Sequence, residues 1–360
     1  MARALQGTAL AGDTGDHFGV PIIRGSFIKT PSILNATTIS PVDLQTLIAA
    51  DMRRVDQVIE SRLTSEVPLV GQVARYIIHS GGKRLRPVLL LLASGAIGSQ
   101  HPDRFAMAAV VEFIHTATLL HDDVVDESTL RRGKQTANEI FGNAASVLVG
   151  DFLYSRAFQM MVDANNMAIM RTLADATNVI AEGEVLQLMH MRNAEITEGD
   201  YLRVIRSKTA KLFEASCRLA AQLEGAPALI ETQLATYGQA IGTAFQIIDD
   251  ILDYEGDAEE LGKNLGDDLR EGKTTLPIIC ALQAANSGDR ERLIYAITSG
   301  DLASLPELIA IIKSGDGLAK SRAVAAAEAQ RALDAIQDFE DSPHTLAMRE
   351  LAHSLLTRRA

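Results

Sequence analysis

From about Val42 onward, apolar positions recur three and four residues apart almost to the end of the chain, the period of helices that bury one face. Two segments stand out. Residues 105–120 are apolar nearly all round, broken only by Glu112, His115 and a few small or hydroxyl positions. A helix of that kind lies in the middle of a bundle rather than on its surface. Leu234, Ile241, Phe245, Ile248 and Leu252 follow at steps of seven, four, three and four, a single stripe on a second long helix. Gly238 and Gly242 lie on the same segment and would let a neighbouring helix approach closely. Between Pro102 and Pro227 no proline interrupts a run rich in Ala, Leu, Ile, Met, Glu and Gln, and strict apolar–polar alternation is missing. The pattern predicts an all-α chain, one large helical bundle over residues 42–360. Surface loops are expected at residues 95–103, 256–273 and 299–306.

Residues 1–41 have another texture, with Gly, Thr, Ser and three of the ten prolines and no helical period. This stretch reads as a flexible leader. Its apolar start is broken by Gln6, Gly7 and Thr8, which disfavours a secretory signal.

Composition narrows the partners. Apolar residues make up 47% of the chain and charged ones 22%, enough for a large core and too apolar for disorder. Lys and Arg number 34 against 46 Asp and Glu, so nucleic acid is not expected as the main partner. Cys217 and Cys280 are far apart and have no zinc-type spacing, which suits a cytoplasmic protein. The longest apolar runs, such as residues 88–93, are too short for a membrane span.

The chemistry gathers at the ends of the two apolar helices. Asp122, Asp123 and Asp126 form one DDxxD cluster, and Asp249, Asp250 and Asp253 form another. Positions i and i+4 differ by about 40° around a helix and about 6 Å along it, so Asp122 shares a face with Asp126, and Asp249 with Asp253. Carboxylates at a helix C-terminus repel one another and the dipole unless cations compensate. Mg2+ takes a few carboxylate ligands and leaves positions for water or phosphate oxygens. One such cluster alone is best read as a solvated helix end; two, each ending a core helix, point to a metal site. Basic residues are interleaved with them. Lys83 and Arg86 follow a Gly pair beside a helix start, Arg131 and Arg132 follow the first cluster, and Lys208, Lys263 and Lys273 surround the second. Each alone is an ordinary surface cation. Together with magnesium-type carboxylates they suggest a polyphosphate substrate.

The segments GGKRLRP, HDDVVDESTLRRG, FGNAASVLVGDFLYSRAF, EGEVLQL, SKTAKLFEAS, FQIIDDILDY and LGKNLGDDLREGKTTLP, in this order, resemble the trans-prenyl diphosphate synthases, and among them the long-chain bacterial members. The resemblance runs from about residue 42 to the C-terminus and is densest between 80 and 280. It implies an isoprenoid-synthase bundle around a deep central cavity and condensation of an allylic diphosphate, such as farnesyl diphosphate, with isopentenyl diphosphate (IPP). Under it, Asp122, Asp126 and Asp249, supported by Asp123, Asp250 and Asp253, would hold Mg2+, three ions per site. Arg131, Lys208, Lys263 and Lys273 would meet the allylic diphosphate; Lys83, Arg86, His115 and Arg132 would bind IPP; Thr209 and Gln246 would face the reacting carbons. His121 and His190 are left as structural. A homodimer built through bundle helices is the family habit. Small residues at Ala117 and Thr118, below the first cluster, imply an open tunnel and a product near C40, with C45 or C50 as alternatives, for quinone side chains.

Three rivals were weighed. Terpene cyclases share the bundle but not a second DDxxD. A ferritin-like di-iron protein would use Glu112 with His115 and Glu350 with His353, both at ExxH spacing, and would leave the aspartates and arginines idle. A non-catalytic partner subunit would not be expected to keep both aspartate clusters.

Overall fold

Proline fixes φ and lacks the N–H that a first helical turn leaves unpaired anyway. Four helices carry one in their first two positions: α2 (Pro68–Ile78) and α16 (Pro343–Thr357) as the first residue, α12 (Leu276–Ala284) and α14 (Leu305–Ser314) as the second. In the computed structural model, which describes residues 43–358 apart from 132, 256–265 and 302, the chain is helical almost throughout. The leader, Arg132 and Lys263 lie outside the described residues. The remaining helices are α1 (Leu44–Arg62), α3 (Leu85–Ala96), α4 (Arg104–Val125), α5 (Ala137–Phe141), α6 (Asn143–Asp163), α7 (Met167–His190), α8 (Glu198–Ile205), α9 (Lys211–Glu224), α10 (Ala228–Glu255), α11 (Asp267–Glu271), α13 (Ser287–Ser299) and α15 (Gly317–Ala335).

The two segments singled out by pattern are α4 and α10. Thirteen residues of α4 are buried, and the helix packs against α1, α3 and α6. Helix α10 packs against α9 and α15. Its glycines mark the contact with α9: a Cβ on Gly238 would stand 2.4 Å from the Phe213 carbonyl oxygen, and one on Gly242 2.7 Å from the Ala210 Cα. Three apolar clusters fill the bundle. One joins α1, α2, α4, α6, α7 and α9; a second holds the C-terminal half of α10 with α12–α14; a third holds α3, the N-terminal half of α10 and α16.

Three details depart from the pattern. A two-residue hairpin pairs β1 (Leu130–Arg131) with β2 (Lys134–Gln135). Part of the loop expected at 256–273 is helix, because Asp267–Glu271 winds into α11. Between α8 and α9 the chain makes one π-helical turn, Arg206–Ala210.

Candidate active site

Helix α4 ends at Val125, and Asp126 is its C-cap. The shared face of Asp122 and Asp126 turns toward two lysines: Lys208 Nζ lies 3.8 Å from Asp122 Oδ2, and Lys273 Nζ 3.1 Å from Asp126 Oδ2. Burial pushes the Asp122 carboxyl up; Lys208 draws it back and Asp126 adds to the rise. Lys273 is held above the usual lysine value: burial works against its charge, but Glu271 and Asp126 outweigh it.

Asp123, expected to support the metal, points elsewhere. Neighbours on a helix are about 100° apart, and the fully buried Asp123 Oδ1 accepts from Arg131 Nε at 2.8 Å and Nη2 at 2.6 Å. The β1–β2 hairpin folds Arg131 back for this pairing. Arg131, expected at the allylic diphosphate, is therefore engaged with the aspartate cluster itself.

On α10 the three aspartates also divide. Asp249 Oδ1 stands 3.3 Å from Arg358 Nη2, close enough to Lys83 that both charges act on that lysine. Burial, then Arg358, draws the Lys83 ammonium below its usual value, while Asp249 raises it. Asp250 is buried and accepts from the Tyr201 hydroxyl at 2.6 Å and from Gln246 Nε2 at 2.7 Å. Burial, then Asp268, lifts its carboxyl well above the ordinary range. Asp253 accepts at 3.2 Å from the backbone N–H of Asp267 and of Asp268, so it anchors the start of α11. The division expected between three principal and three supporting aspartates has a structural counterpart: Asp122, Asp126 and Asp249 face cations, while Asp123, Asp250 and Asp253 are bound to the protein.

Lys208 and Thr209 project from the π turn. Wide turns of this kind place side chains where a regular helix would not, and they gather at functional sites. Gly183 on α7 makes room for it, since a Cβ there would meet the Lys208 backbone nitrogen at 2.8 Å. Thr209 Oγ1 donates to Gln246 Oε1 at 3.0 Å, which turns the Gln246 amide toward Asp250. One cleft is lined by Lys208, Thr209, Gln246, Asp250, Asp268 and Lys273, so residues more than 60 positions apart meet in one place.

Sequence reasoning missed four of these residues. Glu184 accepts from Lys208 Nζ at 2.6 Å, and burial, then Asp122, pushes its carboxyl up to about 7. It lies within the EGEVLQL segment, where Gly183 was the available signal. Asp268 lies in the quoted LGKNLGDDLREGKTTLP segment beside Lys273, whereas Tyr201 and Arg358 join the site from positions outside every quoted motif. His121 and His190, left as structural, both reach cavity walls.

Below Asp122 a cavity of about 760 Å3 opens between α4, α6 and α7, lined by Thr118, Tyr154, Phe158, Ile180 and Glu184 among others. Ala117 does not line it and is fully buried in the core. Arg86 stacks its guanidinium over the Phe213 ring at 4.6 Å, and His115 is half-buried on α4. The donor set suits a hard cation: the groups paired with the lysines are carboxylate oxygens, with His190 on the cleft wall. Among the described residues no three acidic, His or Cys side chains converge as a preformed cage, so water and phosphate oxygens would complete the shell. The di-iron alternative loses its ligands here: Glu112 pairs with Arg84 at 3.1 Å, while Glu350 and His353 lie exposed on α16.

The sequence profile of the polyprenyl synthetase family matches residues 67–312. The chain is 48% identical over 313 residues to octaprenyl diphosphate synthase of Escherichia coli (strain K12), covering 87% of this chain and 97% of that one. It is 43% identical over 319 residues to an all-trans-nonaprenyl-diphosphate synthase (geranyl-diphosphate specific) of Rhodobacter capsulatus, covering 88% and 97%. Its fold is similar to the crystal structure of a polyprenyl synthase from Caulobacter crescentus CB15 complexed with calcium and isoprenyl diphosphate, with a TM-score of 0.85 and 43% identity over 89% of this chain and 98% of that one. A decaprenyl diphosphate synthase from Rhodobacter capsulatus gives a TM-score of 0.84 and 45% identity, over 89% and 100%. On the profile match and these relatives, this chain belongs to the polyprenyl synthetase family.

Proposed function

We propose that the chain is a long-chain all-trans polyprenyl diphosphate synthase that adds successive IPP units to an allylic diphosphate primer, farnesyl diphosphate, up to about C40. One observation carries the reading: Asp122 and Asp126 face the lysines of a polar cleft, and a deep cavity opens directly beneath Asp122. A charged head and an apolar tail on one substrate require that junction.

Asp122, Asp126 and Asp249 would supply the oxygen donors for Mg2+, at three ions per site. When bound, Mg2+ supplies positive charge against the diphosphate as its C–O bond breaks. Lys208 and Lys273 hold the same leaving group by direct charge, and the low-dielectric cleft strengthens both contacts. Lys83, Arg86, His115 and Arg132 receive the IPP diphosphate, with Arg358 beside Lys83. The Thr209 hydroxyl and the Gln246 amide line the space where the double bond of IPP meets the allylic cation. The proton released after bond formation goes to the departing diphosphate.

The octaprenyl, nonaprenyl and decaprenyl synthases named above make products of eight to ten isoprene units by their names, and the C40 assignment rests on 48% identity to the octaprenyl synthase. Exposed apolar residues on α6 and α7, including Leu148, Val162, Val185 and Met189, support a homodimer through these helices. No described helix is long and apolar enough to cross a membrane. A cytoplasmic enzyme whose lipid product becomes a quinone side chain fits these features.

The test is to incubate the protein with farnesyl diphosphate, IPP and Mg2+ and size the dephosphorylated products by mass spectrometry. Linear products around C40 are expected. A cyclic product, or growth that stops after one or two additions, overturns the reading.

A further inference from the structure

Arg84 is one of four non-glycine residues with positive φ among the described residues, at φ 49° and ψ 33°. An L side chain is disfavoured there, and such strain persists only where surrounding contacts enforce it. Arg84 stands at the N-cap of α3, after Gly81 and Gly82, which also have positive φ. Its side chain makes no cap for α3 and reaches inward instead. One guanidinium nitrogen, Nη2, donates at 3.1 Å to the carbonyl of Ile78, the last residue of α2. The other, Nη1, lies 3.1 Å from Oε1 of Glu112, a buried carboxylate in the middle of α4. One side chain therefore ties the end of α2, the start of α3 and the centre of α4.

The residues on either side of this tie are Lys83 and Arg86, and one turn beyond Glu112 on α4 is His115. We propose that the Arg84–Glu112 pair is a positioning device for the second diphosphate pocket: it holds the strained turn so that Lys83 and Arg86 stand in register with His115. Arg84 points into the bundle and does not meet substrate; it acts through its neighbours. The inference rests on the IPP role given above to those three residues.

Two variants test it. Glu112→Gln keeps the shape and removes the charge. Arg84→Gly removes the guanidinium and also relieves the backbone strain. Because uniform binding lost at one subsite appears in that substrate's KM, both should raise the KM for IPP about tenfold while the primer's KM and kcat change less than about twofold. Calorimetry with IPP alone, without primer or metal, should show a matching loss of affinity. The double variant should lose little more than either single one, since the two groups act as a unit. An Arg84→Gly enzyme with the parent's KM for IPP overturns the proposal, as does an equal rise in both KM values. If Arg84→Gly fails to fold, the Glu112→Gln split decides alone. A parent enzyme that does not consume IPP would refute the functional reading instead, which the same assay distinguishes.

Discussion

Asp122 and Asp123 are adjacent in sequence and do different work. Asp122 faces Lys208 across the cleft, whereas Asp123 is locked to Arg131 with no exposure at all. Asp122→Asn, and likewise Asp249→Asn, should lower kcat by about two orders of magnitude or more with little change in unfolding midpoint, because each removes a carboxylate facing the site and relieves repulsion. Asp123→Ala strands Arg131 and should cost about 3–5 kcal/mol of stability in urea titration, the usual consequence of breaking a buried pair. Glu184 adds a pH dependence. Its carboxyl is raised from 4.5 to about 7, so the folded chain keeps a proton that the unfolded chain has lost. The stability of the metal-free protein should therefore fall as pH rises through that window, and Glu184→Gln should reduce the slope, to which the raised Asp122 and Asp250 carboxyls also contribute. Urea midpoints with the same pH profile in both proteins would refute this. The two aspartate clusters were legible because helical spacing alone puts Asp122 and Asp126 on one face. The division of labour inside each cluster was not, because Arg131, Tyr201 and Arg358 reach it through tertiary folding.

At the scale of elements, α4 and α10 could be read from their apolar pattern, which tertiary packing reinforces. Helix α11 could not: of its five residues only Leu269 is apolar, and its start is fixed by Asp253 from fourteen positions upstream. The hairpin that delivers Arg131 is likewise too short to leave a period. The glycine reading can be tested directly. Gly238→Ala would drive a methyl against the Phe213 carbonyl, and overpacking of this kind should cost about 1–3 kcal/mol, measured by urea unfolding. A variant as stable as the parent would show that α9 yields.

For the whole molecule, the issue is where the growing tail goes. The cavity follows α7 from Thr177 to Leu188, which is about 17 Å at 1.5 Å per residue, while α4 from end to end spans about 33 Å. An extended C40 tail is about as long as α4, so the cavity holds roughly half of it. The remainder must curl inside the cavity or leave it through its open side, where the lining residues Val125, Phe158 and Leu188 are exposed. The sequence pattern named Thr118 and Ala117 together; the structure separates them. Thr118→Phe should shorten the product while sparing the first condensation, because Thr118 lines the cavity. Ala117→Phe should first cost stability, because Ala117 is packed in the core. Product sizing and thermal unfolding of both variants check the pair. Full-length product from Thr118→Phe would mean that the tail takes another path.

The π turn gives the active site a reading frame. Tyr201 reaches Asp250 from α8 before it, and Thr209 reaches Gln246 from within it. A π turn holds one residue more than an α-helical path between the same neighbours. Deleting Ser207 would let α8 and α9 join as one regular helix and rotate one relative to the other by about 100°. Both contacts to α10 could not then survive together. The shortened chain should keep its helical circular dichroism and lose turnover, as a frameshift keeps the letters of a message and loses its meaning; a deletion variant with parental rate would show that the extra residue is dispensable.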